Sequence, residues 1–142
     1  MLYNNEVTSL LTSKNIQITA IRILVLQFFL NQNKAFSLHN LEEKFHFSDR
    51  TTLYRTLKTF TEKGLAHQIN DGTSSAKYAL CDTSCDSHQH TDIHPHFYCE
   101  KCRETTCINS ISIPEISLNK PFKVHSTELI IKGICEVCNK VA

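Results

Sequence analysis

Apolar positions along the first half of the chain recur with a helical period. Val7, Leu10 and Leu11 share one face of a short amphipathic segment over residues 5–14. From Ala20 to Leu30, Ile21, Leu24, Val25, Phe28 and Phe29 fall at i, i+3, i+4, i+7 and i+8. That spacing predicts a core-facing helix, with Thr19 as its N-cap and Asn31-Gln32-Asn33 as its end. Ser37 is placed to cap a third helix running to about Phe45, with Leu38, Leu41 and Phe45 inward. A fourth helix starts at Ser48 or Asp49 and runs to about Lys63. Leu53, Leu57 and Phe60 form its buried stripe, and Gly64 suits the position just past its end.

Beyond Gly64 the period shortens to that of a strand. Residues 65–69 and 76–80 read as strands, and Asn70-Asp71-Gly72 between them supplies turn chemistry for a hairpin. Three helices followed by a hairpin is the order of a winged helix-turn-helix. Residues 81–95 are polar and aperiodic. His96 to Cys99 and Thr105 to Ile108 predict two strands around a turn at Cys102. Pro114 lets a short helix within 111–118 only break or begin near it. Val124 to Ile131 predicts the main strand of the second half, ending near Gly133. The expected fold class is α+β: a winged helix over 1–80, a ligand-rich hinge over 81–93, and a small α/β domain over 94–142.

Composition sharpens this division. Of 142 residues, 41% are hydrophobic and only three are Gly and three Pro, which suits packed domains. Net charge is +1, but residues 1–80 hold nine Lys/Arg against six Asp/Glu, and residues 81–142 hold six against eight. All seven Cys lie in the second part. The segment MLYNNEVTSL lacks the basic stretch and apolar run of a signal peptide, and no apolar run approaches the roughly 18 residues of a membrane span. A cytoplasmic location with no membrane association is expected. Thiols stay reduced there, so these Cys read as metal ligands or redox groups, not as a disulfide framework.

Residues 81–102 hold four Cys, four His and three Asp. Cys99-Glu-Lys-Cys102 and Cys135-Glu-Val-Cys138 are two C-x-x-C pairs separated by 32 residues. Each pair puts two sulfurs on one turn, and together they predict a tetrathiolate zinc site. A closed site has no open position for a substrate, so its role is structural. Redox-active pairs are the alternative. The remaining Cys81, His88, His90, His94, His96 and Cys107, with Cys85 and His125 as further candidates, predict a second metal site. His94 and His96 alternate, so they share one face of a strand. Mixed thiolate and imidazole donors favour zinc; ferrous iron prefers more carboxylate and copper(I) more sulfur. A strand histidine with an ordinary hydrogen bond is the alternative for His125. Surface or core roles are expected for His39, His46 and His67.

On the fourth helix, Arg50, Thr51, Thr52, Tyr54, Arg55 and Lys58 lie opposite the buried stripe near the N-terminal end, where a recognition helix meets base edges and phosphates. Arg22 and Lys77 are further candidate phosphate contacts. A solvated polar face, within a three-helix protein-interaction module, is the alternative.

Ile18-Thr-Ala-Ile-Arg-Ile-Leu24, Thr51-Thr-Leu-Tyr-Arg-Thr-Leu57 with Gly64-Leu65, His94-x-His96-x-x-Cys99-x-x-Cys102 and Gly133-x-Cys135-x-x-Cys138 resemble the ferric uptake regulator family, in the right order over nearly the whole chain. The resemblance implies a homodimeric, metal-dependent repressor whose N-terminal winged helix binds a double-stranded DNA operator and whose C-terminal α/β domain dimerises. A regulatory metal at the hinge would set the angle between them. By position, Cys99, Cys102, Cys135 and Cys138 match the family's structural zinc ligands. His94 and His96 match a regulatory histidine pair, Tyr54 and Arg55 match recognition-helix positions, and Arg22 matches a basic residue of the second helix.

Several positions depart from the family pattern. Ala35 stands near an expected histidine, Cys107 where a carboxylate is usual, and Gln17 where a basic residue is usual. Thr127 occupies the place of a last-strand histidine, with His125 two residues away on the expected strand. The segment 81–93 reads as an insertion rich in ligands. Exchange of carboxylate for thiolate favours a zinc-uptake-type regulator, with Zn2+ ahead of Fe2+ or Mn2+ as the second metal. An iron-responsive or a peroxide- or thiol-redox-responsive regulator of the same family is the alternative. No carboxylate stands as a general base beside the His/Cys set, so no enzymatic activity is expected.

Overall fold

The computed structural model describes residues 2–80, 95–108, 110–111, 113–125 and 127–140. Cys81, Cys85, His88, His90 and His94 therefore lie outside the described residues. The chain forms two compact units, Met1–Asp92 and Ile93–Ala142.

The first unit contains α1 (Leu2–Ser13), α2 (Ala20–Leu30), β1 (Lys34–Ser37), α3 (Leu38–Lys44), α4 (Arg50–Glu62), β2 (Ala66–Ile69) and β3 (Lys77–Leu80). Capping follows the sequence closely. The Thr19 hydroxyl accepts from the Arg22 N–H at 3.4 Å. Ser37 and Asn40 form a reciprocal box at the start of α3, each side chain accepting from the other's N–H. Asp49 accepts from the Thr52 N–H at 2.7 Å, and hydrogen bonds from the Thr52 side chain and backbone hold its carboxyl below the usual range. At the far end of α4, Gly64 takes φ 76°, so that Leu65 N–H reaches the Phe60 carbonyl and Gly64 N–H the Thr61 carbonyl. A Cβ at Gly64 would make that left-handed closure costly.

The core joins Val7, Leu11, Ile16, Val25, Leu26, Phe29, Leu41, Phe45, Leu53, Leu57, Phe60 and Leu65. Leu24, expected inward, is 38% exposed, and Leu26 is buried instead. Nearly every position of α2 is apolar, so periodicity alone does not select the stripe; packing does. Strand β1 was not expected from the sequence. Phe36 anchors it, with ring centroids 4.5 Å from Phe28 and 5.5 Å from Phe29. The three strands pair antiparallel in the order β2-β3-β1, with Gln68 and Phe36 both opposite Tyr78. Helices α2, α3 and α4 with the β2–β3 hairpin make a winged helix-turn-helix.

The second unit contains β4 (His96–Cys99), β5 (Thr105–Cys107), β6 (Ile130–Gly133) and α5 (Glu136–Lys140). β4 pairs antiparallel with β5 and parallel with β6. A Cβ on Gly133 would meet the Phe97 ring at 3.2 Å, so glycine permits the close β4–β6 approach there. The predicted strand over 124–131 is replaced by the later and shorter β6. Apart from the Leu129 carbonyl, which accepts from the His96 N–H, residues 124–129 make no described ladder bond to hold them extended. No helix forms over 113–118, and α5 was not anticipated.

Candidate metal centre and reading helix

Two turns bring the four predicted zinc cysteines together. The β4–β5 turn carries Cys99 and Cys102. It closes through Cys99 N–H to the Glu104 carbonyl, Arg103 N–H to the Cys99 carbonyl, and Arg103 at φ 65°. Cys135 follows β6, and Cys138 lies on α5, where Asn139 N–H returns to the Cys135 carbonyl. The pairing of Cys99 with Gly133 in the parallel ladder delivers the second turn beside the first. All four sulfurs lie within 4.8 Å of one another. Cys102 Sγ and Cys135 Sγ are 3.8 Å apart. A tetrahedron with Zn–S near 2.3 Å has an edge of about 3.8 Å, so this separation fits a shared zinc.

The donor chemistry agrees. Cys99 Sγ accepts backbone N–H bonds from Cys102 at 3.4 Å and Cys135 at 3.3 Å. These two bonds lower the Cys99 pKa to about 6. Cys138 goes the other way, to about 12, first through its hydrogen bond with Cys135 and then through burial. Thiolates so close cannot all ionise unless a cation neutralises them. The described cysteines are free thiols. The four-cysteine cluster thus fits a tetrathiolate zinc site, with zinc supplying that neutralisation when bound.

Among the second-site candidates, His96 and Cys107 are described and are brought together. They are Cα partners across β4 and β5 and are both buried. His125 is exposed and lies in no strand, so it does not share the expected strand face with Thr127. Among the described residues the zinc cysteines are the one group of three or more converging metal-binding side chains.

On α4, Thr51, Tyr54, Arg55 and Lys58 are exposed, while Thr52 is half-buried and gives its N–H to the Asp49 cap. Arg50 is exposed but ion-paired with Glu42 of α3. Lys58 stands 4.0 Å from Glu62. Arg22 is half-buried and donates to the Gln17 carbonyl at 2.7 Å. Lys77 departs from expectation. It is only 7% exposed, and its ammonium lies 2.9 Å from the buried Asp71 carboxylate. A buried carboxylate needs a cation, and this one takes Lys77 away from any phosphate. Asp71 Oδ1 also receives the Thr73 N–H, which pins the wing tip.

The start of α4 and the wing border a cleft of about 510 Å3, lined by Arg50, Thr51 and Tyr54 on one side and Ser74, Ser75 and Tyr78 on the other. Burial, and then the neighbouring Tyr54, raise the Tyr78 pKa. Sequence reasoning missed the wing serines and Tyr78, because no local spacing links them to α4. The hairpin prediction itself was the available signal.

Comparison with known proteins gives a consistent picture. The model of the ferric uptake regulator family matches residues 13–132. The chain is 26% identical over 143 residues to a peroxide operon regulator of Bacillus subtilis, covering 95% of this chain and 92% of that protein. It is 27% identical over 140 residues to a ferric uptake regulation protein of Staphylococcus aureus, covering 94% and 96%. In fold it is similar to a zinc uptake regulator solved in complex with zinc and DNA, with a TM-score of 0.66, 21% identity, and 96% and 93% coverage.

Proposed function

The chain belongs to the ferric uptake regulator family, whose members are metal-responsive transcriptional regulators and not enzymes, and from that premise we propose a zinc-responsive repressor, acting as a homodimer on double-stranded DNA operators of metal-homeostasis genes. Residues 1–80 read DNA, 81–93 form a ligand-bearing hinge, and 94–142 dimerise. Cys99, Cys102, Cys135 and Cys138 hold a structural zinc. Cys81, His88, His90 and His94, with His96 and Cys107 and with Cys85 as a further candidate, are the donors from which the regulatory site draws its ligands.

The observation that carries the choice of zinc is Cys107 opposite His96. A thiolate beside an imidazole selects zinc over ferrous iron or manganese, which favour carboxylate. A dication held by His96 and Cys107 would supply the positive charge that neutralises the thiolate. The form in which both reading helices meet successive half-sites then gains population in proportion to its tighter metal binding.

Dimerisation draws support from the second unit's surface. Ile116, Leu118, Phe122, Val124 and Val137 are exposed in a unit whose described core is small. Apolar area of that kind is stabilised by covering it with a second copy. A cytoplasmic location belongs to the same reading, and no described helix is long and apolar enough to cross a membrane.

The second reading is an iron- or peroxide-responsive regulator, favoured by the names of the Staphylococcus and Bacillus relatives. Operator binding measured against buffered free Zn2+, Fe2+ and Mn2+ separates the two. Zinc acting at the lowest free concentration supports the proposal. Ferrous iron acting first selects the second reading, and a flat response to all three removes both.

A further inference from the structure

Arg50 does not project freely from the start of α4. Its Nη1 donates to Glu42 Oε1, across from α3. The Arg50 side chain is 66% exposed and that of Glu42 31%, so the acid is the anchored end of the pair. An ion pair this exposed adds little to stability. An acidic side chain beside a DNA-reading helix also repels phosphates, so its presence calls for another role. The neighbouring Glu43 is occupied separately, 2.9 Å from His39, and Asp49 is committed to the Thr52 N–H. Glu42 alone of these acids grips a residue of the reading helix that lines the cleft.

The consequence is geometric. A guanidinium is planar, with five N–H groups in a fixed fork. Holding one nitrogen on Glu42 restricts the plane, and the side chain's 66% exposure leaves other N–H groups open to a ligand. A phosphate contact can be made by a mobile point charge, as lysine provides. Bidentate recognition of guanine O6 and N7 needs the plane set in advance. We propose that Glu42 is a positioning residue that aims the Arg50 guanidinium for base readout, making Arg50 a determinant of operator sequence and not a phosphate contact. The inference rests on the DNA-reading function proposed above.

The test uses the zinc-loaded full chain and duplexes selected by it from a randomised pool. Failure to enrich any sequence would defeat the DNA-reading function itself. With an enriched operator in hand, each single base-pair substitution is competed against wild type, Glu42→Ala, Glu42→Gln, Arg50→Lys and Arg50→Ala. Arg50→Lys and Glu42→Ala should lose discrimination at the same base pair of each half-site by about tenfold or more. Glu42→Gln, which keeps an acceptor, should retain most of it. Arg50→Ala should leave the salt dependence of operator binding unchanged. The proposal is overturned if Glu42→Ala leaves discrimination intact, whether or not it tightens binding to every duplex equally. It is equally overturned if Arg50→Ala lowers the salt slope by about one with base preference preserved.

Discussion

His96 on β4 and Cys107 on β5 are direct cross-strand partners, and both are buried. Residues opposed in this way project to the same face of the sheet, with Cβ atoms about 5 Å apart. An imidazole and a thiol therefore share one side of the second unit. Replacing Cys107 by Asp keeps an ionisable donor but exchanges sulfur for oxygen. The expected outcome is a shift of at least about tenfold in the ratio of free zinc to free ferrous iron needed for half-maximal operator binding, towards iron. Metal-buffered fluorescence anisotropy measures it, and an unchanged ratio would detach Cys107 from metal selection.

Zinc uptake by the tetrathiolate cluster should release protons at neutral pH. Cys99, at about 6, is already a thiolate at pH 7, while Cys138, at about 12, still holds its proton. The folded value for Cys99 lies below its ordinary 9.0, so the fold favours the ionised form. That stabilisation is fully present above the unfolded value and disappears as pH falls through about 6. Zinc should be retained at pH 7 and lost progressively below about pH 6. Calorimetry in buffers of different ionisation heat measures the proton count; zero release at pH 7 would contradict this description.

The second unit should depend on its zinc for order. Its described buried side chains are few, chiefly His96, Cys99, Thr105 and Cys107. Structural zinc sites contribute about 10–16 kcal/mol of apparent binding energy, far more than so small a core. Cys138→Ser is expected to abolish zinc retention and expose residues 93–142 to limited proteolysis, while the helical unit survives. Equal resistance of both units would show that the metal is dispensable for folding.

Lys77 and Arg55 should separate by their effects. Removing Lys77 leaves Asp71 buried without its cation, so Lys77→Ala should cost about 3–5 kcal/mol of stability of the first unit. Arg55 is exposed on α4. Arg55→Ala should leave the melting temperature nearly unchanged and weaken operator binding. Denaturant unfolding and anisotropy on both variants check the pair.

Much of the fold was legible because local chemistry and packing agree. Thr19, Ser37 and Asp49 cap the helices they were expected to cap, and Leu53, Leu57 and Phe60 form one buried stripe. The tetrathiolate cluster was legible because each C-x-x-C turn carries its geometry locally and sulfur chemistry supplies the rest. What failed depended on packing and burial that no local spacing announces. Leu24 and Leu26 are equally apolar, and only the packing of α2 in the core decides between them. Strand β1 exists because Phe36 meets Phe28 and Phe29. Lys77 looked like a surface cation because nothing local announces that Asp71 is buried. His125 was placed on a strand whose pairing begins at Ile130.

The most direct test of a sensory metal site separate from the structural one combines metal content and operator affinity in wild type and His96→Ala. The account predicts two zinc ions per wild-type chain and operator binding that strengthens with free zinc. It predicts one ion per His96→Ala chain, with the fold retained and weak operator binding that no longer responds to zinc. A His96→Ala protein that still holds two ions, or still answers to zinc as wild type does, would contradict it.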